Sequence, residues 1–119
     1  MEINFLEFGG DKIAEISTAV VIKDAQQAAE LLMNCHYSGT DKLIVYEQSL
    51  TPDFFDLKTR LAGDILQKFS TYDGRLAIVG DFSKYTSQSL RDFIYERNKM
   101  GRISFVRTKE EAVKVLRRS

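Results

Sequence analysis

The sequence is 119 residues long, which fits a single domain over residues 1–119. Its hydrophobic fraction of 44%, with eight Phe and five Tyr, excludes intrinsic disorder. Seventeen Lys plus Arg balance seventeen Asp plus Glu, so the net charge is zero, which argues against a nucleic-acid binder driven by bulk charge.

The chain opens with an extended segment, Ile3 to Phe8. Gly9-Gly10-Asp11 supplies a tight turn, and Lys12 to Ser17 forms a second strand, so the two predict a β-hairpin. Asp24 with Gln27 three residues on is a capping box. It opens a helix whose buried stripe is Ala25, Ala28, Ala29 and Leu32, with Gly39 beyond its end. Lys42 to Glu47 is a short apolar strand. Leu43-Val45 and Ile44-Tyr46 both want burial, as in a central parallel strand covered on both faces.

Thr51-Pro52 predicts the start of a second helix, with Thr as cap and Pro at the first helical position. Phe54, Leu57, Leu61 and Ile65 line one face, widened by Ala62, Leu66 and Phe69. Gly63 weakens a helix interior by about 1 kcal/mol, and close approach to the sheet is the expected compensation. Tyr72-Asp73-Gly74 ends the element. Leu76 to Val79 is the next buried strand. Ser87 or a neighbouring hydroxyl starts a third helix with Leu90, Phe93 and Ile94 inward, closed by Met100-Gly101. Ile103, Phe105 and Val106 form the last strand. Thr108 with Glu111 caps a final helix with Ala112, Val113 and Leu116 inward. The order β-β-α-β-α-β-α-β-α predicts an α/β fold with a mixed, mostly parallel sheet and an N-terminal hairpin.

One cysteine, Cys35, and one histidine, His36, exclude an internal disulfide and a Cys/His zinc site. Adjacent on a helix, the two project about 100° apart and do not form a dyad. A buried Cys35 and a half-exposed His36 near the helix C-terminus are expected. No apolar run approaches the length of a membrane span, and no secretory leader is expected, so the expected location is cytoplasmic with no membrane contact. The basic group Arg91, Arg97, Lys99 and Arg102 reads as a solvated helix face.

Ligands of open α/β sheets collect at the carboxyl ends of the strands. Two segments reach that edge, Glu47 to Asp53 and Gly80 to Ser87. Glu47 and Asp81 each directly follow a buried strand and are expected to converge. Ser49, Thr51, Asp53, Ser83, Lys84 and Tyr85 complete the candidate binding set. Two readings are open. The set forms a polar pocket for a partner segment or small ligand, or the carboxylates bond loop backbone while the hydroxyls cap helices. Ser83 to Ser87 lacks the glycines of a P-loop or dinucleotide fingerprint, and no cofactor, metal or catalytic residue is assigned.

Leu50-Thr51-Pro52-Asp53-Phe54-Phe55-Asp56-Leu57-Lys58-Thr59 with Ala62-Gly63 resembles the signature of a bacterial family catalogued as domain of unknown function 4180. So does Leu76-Ala77-Ile78-Val79-Gly80-Asp81-Phe82-Ser83-Lys84-Tyr85, continuing through Ser89 to Glu96. The resemblance implies a small stand-alone bacterial protein and brings no established activity. The element order is also similar to the STAS domains of anti-sigma factor antagonists. That likeness implies partner docking. The phosphorylatable Ser of those domains has no match at Asp53 to Asp56, and Ser49 and Thr51 are the nearest hydroxyls.

The leading expectation is a non-enzymatic regulatory or interaction module that docks a protein partner, or a second copy of itself, at the Glu47–Asp53 and Asp81–Ser87 edge. A small-ligand binder or enzyme is the alternative, with Glu47 or Asp81 as base or anchor and Lys84 or Tyr85 as polar partner. A homo-oligomeric structural protein is the third. An exposed Phe or Tyr patch would point to it, with Phe54, Phe55 and Phe82 the residues that decide; the other reading is that all three are buried.

Overall fold

A computed structural model describes residues 2–117. Five strands form one sheet in the order β1-β2-β3-β4-β5, with β1 (Ile3–Phe8), β2 (Asp11–Ile16), β3 (Lys42–Tyr46), β4 (Arg75–Val79) and β5 (Ile103–Val106). β1 and β2 are antiparallel, and the remaining neighbours are parallel. Gly9 and Gly10, at φ 54° and 97°, make the turn between β1 and β2, where both positions need the left-handed region. The α/β class and the mixed sheet agree with the expectation from the sequence.

The helices are α1 (Ala25–Tyr37), α2 (Leu61–Thr71), α3 (Gln88–Met100) and α4 (Lys109–Arg117). Crossovers between neighbouring parallel strands are right-handed, and the strand order advances in one direction only. All three crossover helices must therefore lie on one face. The packing agrees: Ile16, Leu43, Val45, Leu76, Ile78 and Ile103 share one core with Leu32 of α1, Ile65 and Phe69 of α2 and Leu90 of α3. The other face carries Ile13, Ile44, Ala77 and Val79, covered by Ala112 and Leu116 of α4.

The capping signals at Asp24, Ser87 and Thr108 act as read. Asp24 Oδ1 accepts the Gln27 N–H at 2.8 Å, and Gln27 Oε1 accepts the Lys23 N–H at 2.7 Å. Thr108 Oγ1 accepts from Glu111 N–H at 3.1 Å, and Ser87 Oγ from Leu90 N–H at 3.2 Å. Cys35 is fully buried, and burial, then the nearby Asp41 charge, pushes its thiol up to about 11. His36 is exposed at the end of α1, with Nδ1 2.7 Å from Asp41 Oδ1.

The second helix differs from its expected form. The chain from Pro52 makes two 3-10 turns, Pro52–Phe55 and Leu57–Thr59, before α2 begins at Leu61. Asp56 is extended (φ −106°, ψ 102°), and its side chain accepts the Lys58 N–H at 3.2 Å. Thr59 Oγ1 donates to the carbonyls of Asp53 at 2.6 Å and Asp56 at 2.8 Å. Side-chain bonds of this kind offer the backbone an alternative to the α-helical ladder. Arg60 then takes φ 66°, so the direction changes before α2. Thr51 precedes the first turn without a side-chain cap bond, contrary to expectation. Gly63 also departs from expectation. It is exposed, and a Cβ there would meet nothing within 4 Å, so no close approach to the sheet accounts for it.

α4 is held at both ends through β2. Lys109 Nζ lies 3.2 Å from Glu15 Oε2, and Arg117 Nε lies 3.1 Å from Asp11 Oδ2, so the helix runs antiparallel to that strand. Tyr46 of β3 donates its hydroxyl to Glu15 Oε2 at 2.5 Å, and Asn4 of β1 donates to Oε1 at 3.1 Å. Burial alone would raise the Glu15 carboxyl. The bonds from Tyr46, Asn4 and Lys109, with the Lys109 charge, outweigh it and hold the group below its ordinary value. Burial, then the bond to Glu15 and the charges of Glu15 and Glu110, pushes Tyr46 up to about 12.

A carboxyl whose folded pKa is lowered contributes stability above its unfolded value, near 4.5 for Glu15, and loses it as pH falls. Tyr46→Phe should therefore cost about 1.5–3 kcal/mol in urea denaturation at neutral pH, with the gap to wild type narrowing as Glu15 protonates. A pH-independent gap would contradict the clasp. Arg60→Gly should raise stability by about 0.5–1 kcal/mol, since relief of the left-handed conformation exceeds the added chain entropy.

Candidate functional site

Tyr46 and Val79, the last residues of β3 and β4, are paired in register. The residues that follow, Glu47 and Gly80-Asp81, leave the sheet side by side from the same edge. Glu47 opens a 3-10 turn, Glu47–Ser49, and its side chain reaches back across the end of β4. There Oε1 accepts the Asp81 N–H at 3.3 Å. Oε2 accepts the Tyr85 hydroxyl at 2.7 Å and lies 2.7 Å from Lys84 Nζ. The Glu47 side chain is only 15% exposed, so these three donors meet a carboxylate largely withdrawn from water.

Gly80 makes this seat possible. A Cβ at position 80 would stand 2.6 Å from Glu47 Oε1 and 2.8 Å from Glu47 Cβ. The carboxylate lies where any larger residue would put its side chain.

An aromatic chain fixes the loop that carries Lys84 and Tyr85. The Tyr85 ring stacks on Phe55 at 4.7 Å with an interplanar angle of 13°. Phe55 meets Phe54 edge-on at 5.0 Å, and Phe82 meets Phe105 of β5 edge-on at 5.2 Å. Phe54 and Phe55 are buried and Phe82 is partly buried, so these three do not form an exposed aromatic patch. Lys84 Nζ sits 5.5 Å from the Tyr85 ring centre. Burial, then the bond to Glu47 and the Glu47 charge, raises the Tyr85 hydroxyl well above its ordinary value.

Asp81 turns away from Glu47. Its Oδ1 accepts the Ser83 hydroxyl at 2.6 Å and the Ser83 N–H at 3.1 Å, closing an Asx turn. These two bonds outweigh the opposing effect of desolvation and, with the charges of Arg107 and Lys84, lower its pKa. Asp81 is thus an exposed, firmly ionised carboxylate.

Between the two loops lies a cleft of about 580 Å³. Of the sequence-nominated residues, Glu47, Asp81, Lys84 and Tyr85 line it; Ser49, Thr51, Asp53 and Ser83 do not. Ser49 is fully buried, and its hydroxyl donates to the Ser17 carbonyl at 3.3 Å. Its own carbonyl accepts the Ile22 N–H at 2.7 Å. Thr51 accepts the Phe54 N–H at 2.9 Å through its carbonyl, and Asp53 is exposed on the 3-10 turn. Phe55, Asp56, Gln48 and Gly80 also line the cleft and were not singled out as site residues from the sequence. The available signal was the glycine placed directly between a buried strand and Asp81. No group of three or more His, Cys, Asp or Glu able to hold a metal ion occurs among the described residues.

The arrangement presents three carboxylates, Glu47, Asp56 and Asp81, one ammonium, Lys84, and a stacked aromatic pair. Gly80→Ala should cost about 1–3 kcal/mol of stability in urea denaturation, because Glu47 must be displaced. Combining it with Glu47→Ala should recover part of that loss. Strict additivity of the two substitutions would show that they do not share this space.

The family model described as domain of unknown function (DUF4180) matches residues 9–116. No curated protein and no solved structure matches the chain. The match spans the hairpin turn, both edge loops, α1 to α3 and α4 as far as Leu116, and the chain belongs to this DUF4180 family of unknown function.

Proposed function

We propose that the protein is a non-catalytic regulatory module that docks a protein partner at the carboxyl edge of β3 and β4. The observation that supports this reading is the paired acidic edge, where Glu47 is fixed by three donors while Asp81 and Asp56 stay exposed beside it. Glu47 is engaged by Tyr85, Lys84 and the Asp81 N–H, and Asp81 is engaged by Ser83. The same groups make a fixed, shaped surface. The element order also resembles that of STAS domains, an argument by fold analogy alone. The inaccessible Ser49 hydroxyl favours docking that does not depend on phosphorylation there.

The partner's chemistry follows from the charge at the rim. Three carboxylates against one ammonium favour a segment presenting Arg or Lys. The Lys84 ammonium, on a side chain 57% exposed, holds the place such a cation would take. The Tyr85–Phe55 stack offers the incoming cation an aromatic face. A small amine or guanidinium ligand is the second reading, favoured by a cleft volume in the range of small-molecule sites.

Affinity capture from the source cell should compare wild type with Asp56→Ala, Asp81→Ala and the α1 surface control Glu30→Ala. One and the same protein should be lost with both edge variants, retained with the control and released by salt. Equal recovery with all four proteins would overturn the docking edge. Saturable binding of free arginine, abolished by Asp56→Ala, with no captured protein, would favour the second reading.

A further inference from the structure

A second concave surface lies between α2 and α3, at the end of β4 opposite to Glu47. Its volume is about 690 Å³, and Arg75, Arg97 and Arg102 line it without any Asp or Glu. Leu66, Phe93 and Met100 form its apolar wall. Arg75 begins β4, Arg102 directly precedes β5, and Arg97 stands in the last turn of α3.

Part of this basic set has a structural use. Arg75 Nη2 donates to the Gly101 carbonyl at 2.8 Å, and Arg102 Nη1 donates to the Gly74 carbonyl at 2.8 Å. Arg102 also meets Asp73 at 3.3 Å, although that carboxylate is 93% exposed. Arg97 has a different environment, its guanidinium lying 5.7 Å from the Phe93 ring centre. The Nε atoms of Arg75 and Arg97 are both buried and lack a hydrogen-bond partner. Among the described residues, neither arginine has an ion pair. A guanidinium carries five donors, and leaving a buried donor unpaired costs about 1–3 kcal/mol. Carbonyl anchoring accounts for one bond from Arg75 and one from Arg102. It accounts neither for Arg97 nor for three like charges around a groove with no acidic residue.

We propose that this groove binds a dianionic phosphomonoester bearing an apolar or aromatic group, with Arg75, Arg97 and Arg102 holding the phosphate. The charge sets the class of ligand. Arg102 is partly offset by Asp73, while Arg75 and Arg97 are not offset, so a dianion balances the site. Guanidinium groups match phosphate oxygens in paired, charge-assisted hydrogen bonds. The Leu66, Phe93 and Met100 wall supplies apolar contact for the rest of the molecule, and the volume is that of a small-molecule site. The site is separate from the docking edge and does not depend on it.

Phenyl phosphate is the probe, with inorganic phosphate and phenol as its two halves, followed by calorimetry and by the arginine Nε–H resonances. Phenyl phosphate should bind saturably and more tightly than either half, and should shift the Arg75 and Arg97 signals. Arg97→Gln should weaken it about ten- to a hundredfold, the loss of one charge-assisted contact. Arg91→Gln, an exposed substitution on α3, should leave the affinity unchanged with the same circular dichroism. Because Arg75 also holds Gly101, Arg97→Gln is the primary variant. Absence of saturable binding, equal affinity for inorganic phosphate, or equal weakening by Arg97→Gln and Arg91→Gln would overturn the site.

Discussion

The handedness of the strand-to-strand crossover governs the rest of this structure. With β2 through β5 laid down in consecutive order, one permitted hand sends α1, α2 and α3 to the same face. That face receives the larger core and most of the aromatic side chains. The other face is left to a single short helix, α4, which covers it with Ala112 and Leu116 and is tied at its two ends by Lys109 and Arg117. The same ordering brings the ends of β3 and β4 together and sets α2 beside α3. Both concave surfaces are products of it, one at each end of β4.

Much of this was legible in the residues. Asp24 with Gln27, Ser87, and Thr108 with Glu111 each announce a helix start by local chemistry, and each forms the bond it implies. The doubly apolar strands Leu43 to Tyr46 and Leu76 to Val79 show that both faces are covered. The segment from Pro52 to Arg60 was not legible. Its apolar spacing suits an α-helix, yet Asp56 and Thr59 draw the backbone into separate 3-10 turns through bonds to near neighbours. Periodicity reports which side chains are buried and carries no information on whether the intervening hydrogen bonds span three residues or four.

The candidate edge was legible as a place but not as a set of contacts. The position of Glu47 and Asp81 directly after two buried strands predicts adjacency, and the Asp81 N–H does meet Glu47. Which polar group satisfies which depends on loop conformation. Asp81 turns to Ser83, while Tyr85, held by Phe55, brings its hydroxyl to Glu47. Ser49 reads from its sequence as an edge hydroxyl, but the 3-10 turn after β3 rotates it inward against Ser17. The Asp81–Ser83 turn is local, whereas contacts between residues distant in the chain decided the Tyr85 and Ser49 cases, and no local pattern encodes those.

The seat of Glu47 over the bare Cα of Gly80 has an evolutionary corollary. A side chain enters position 80 only at the cost of displacing Glu47, and a displaced or truncated residue at 47 leaves Tyr85 and Lys84 without their common acceptor. Positions 47, 80, 84 and 85 should therefore drift as a block among relatives. Lineages that retain an acidic residue at 47 should retain glycine at 80, whereas those that abandon the pair should lose the tyrosine hydroxyl as well.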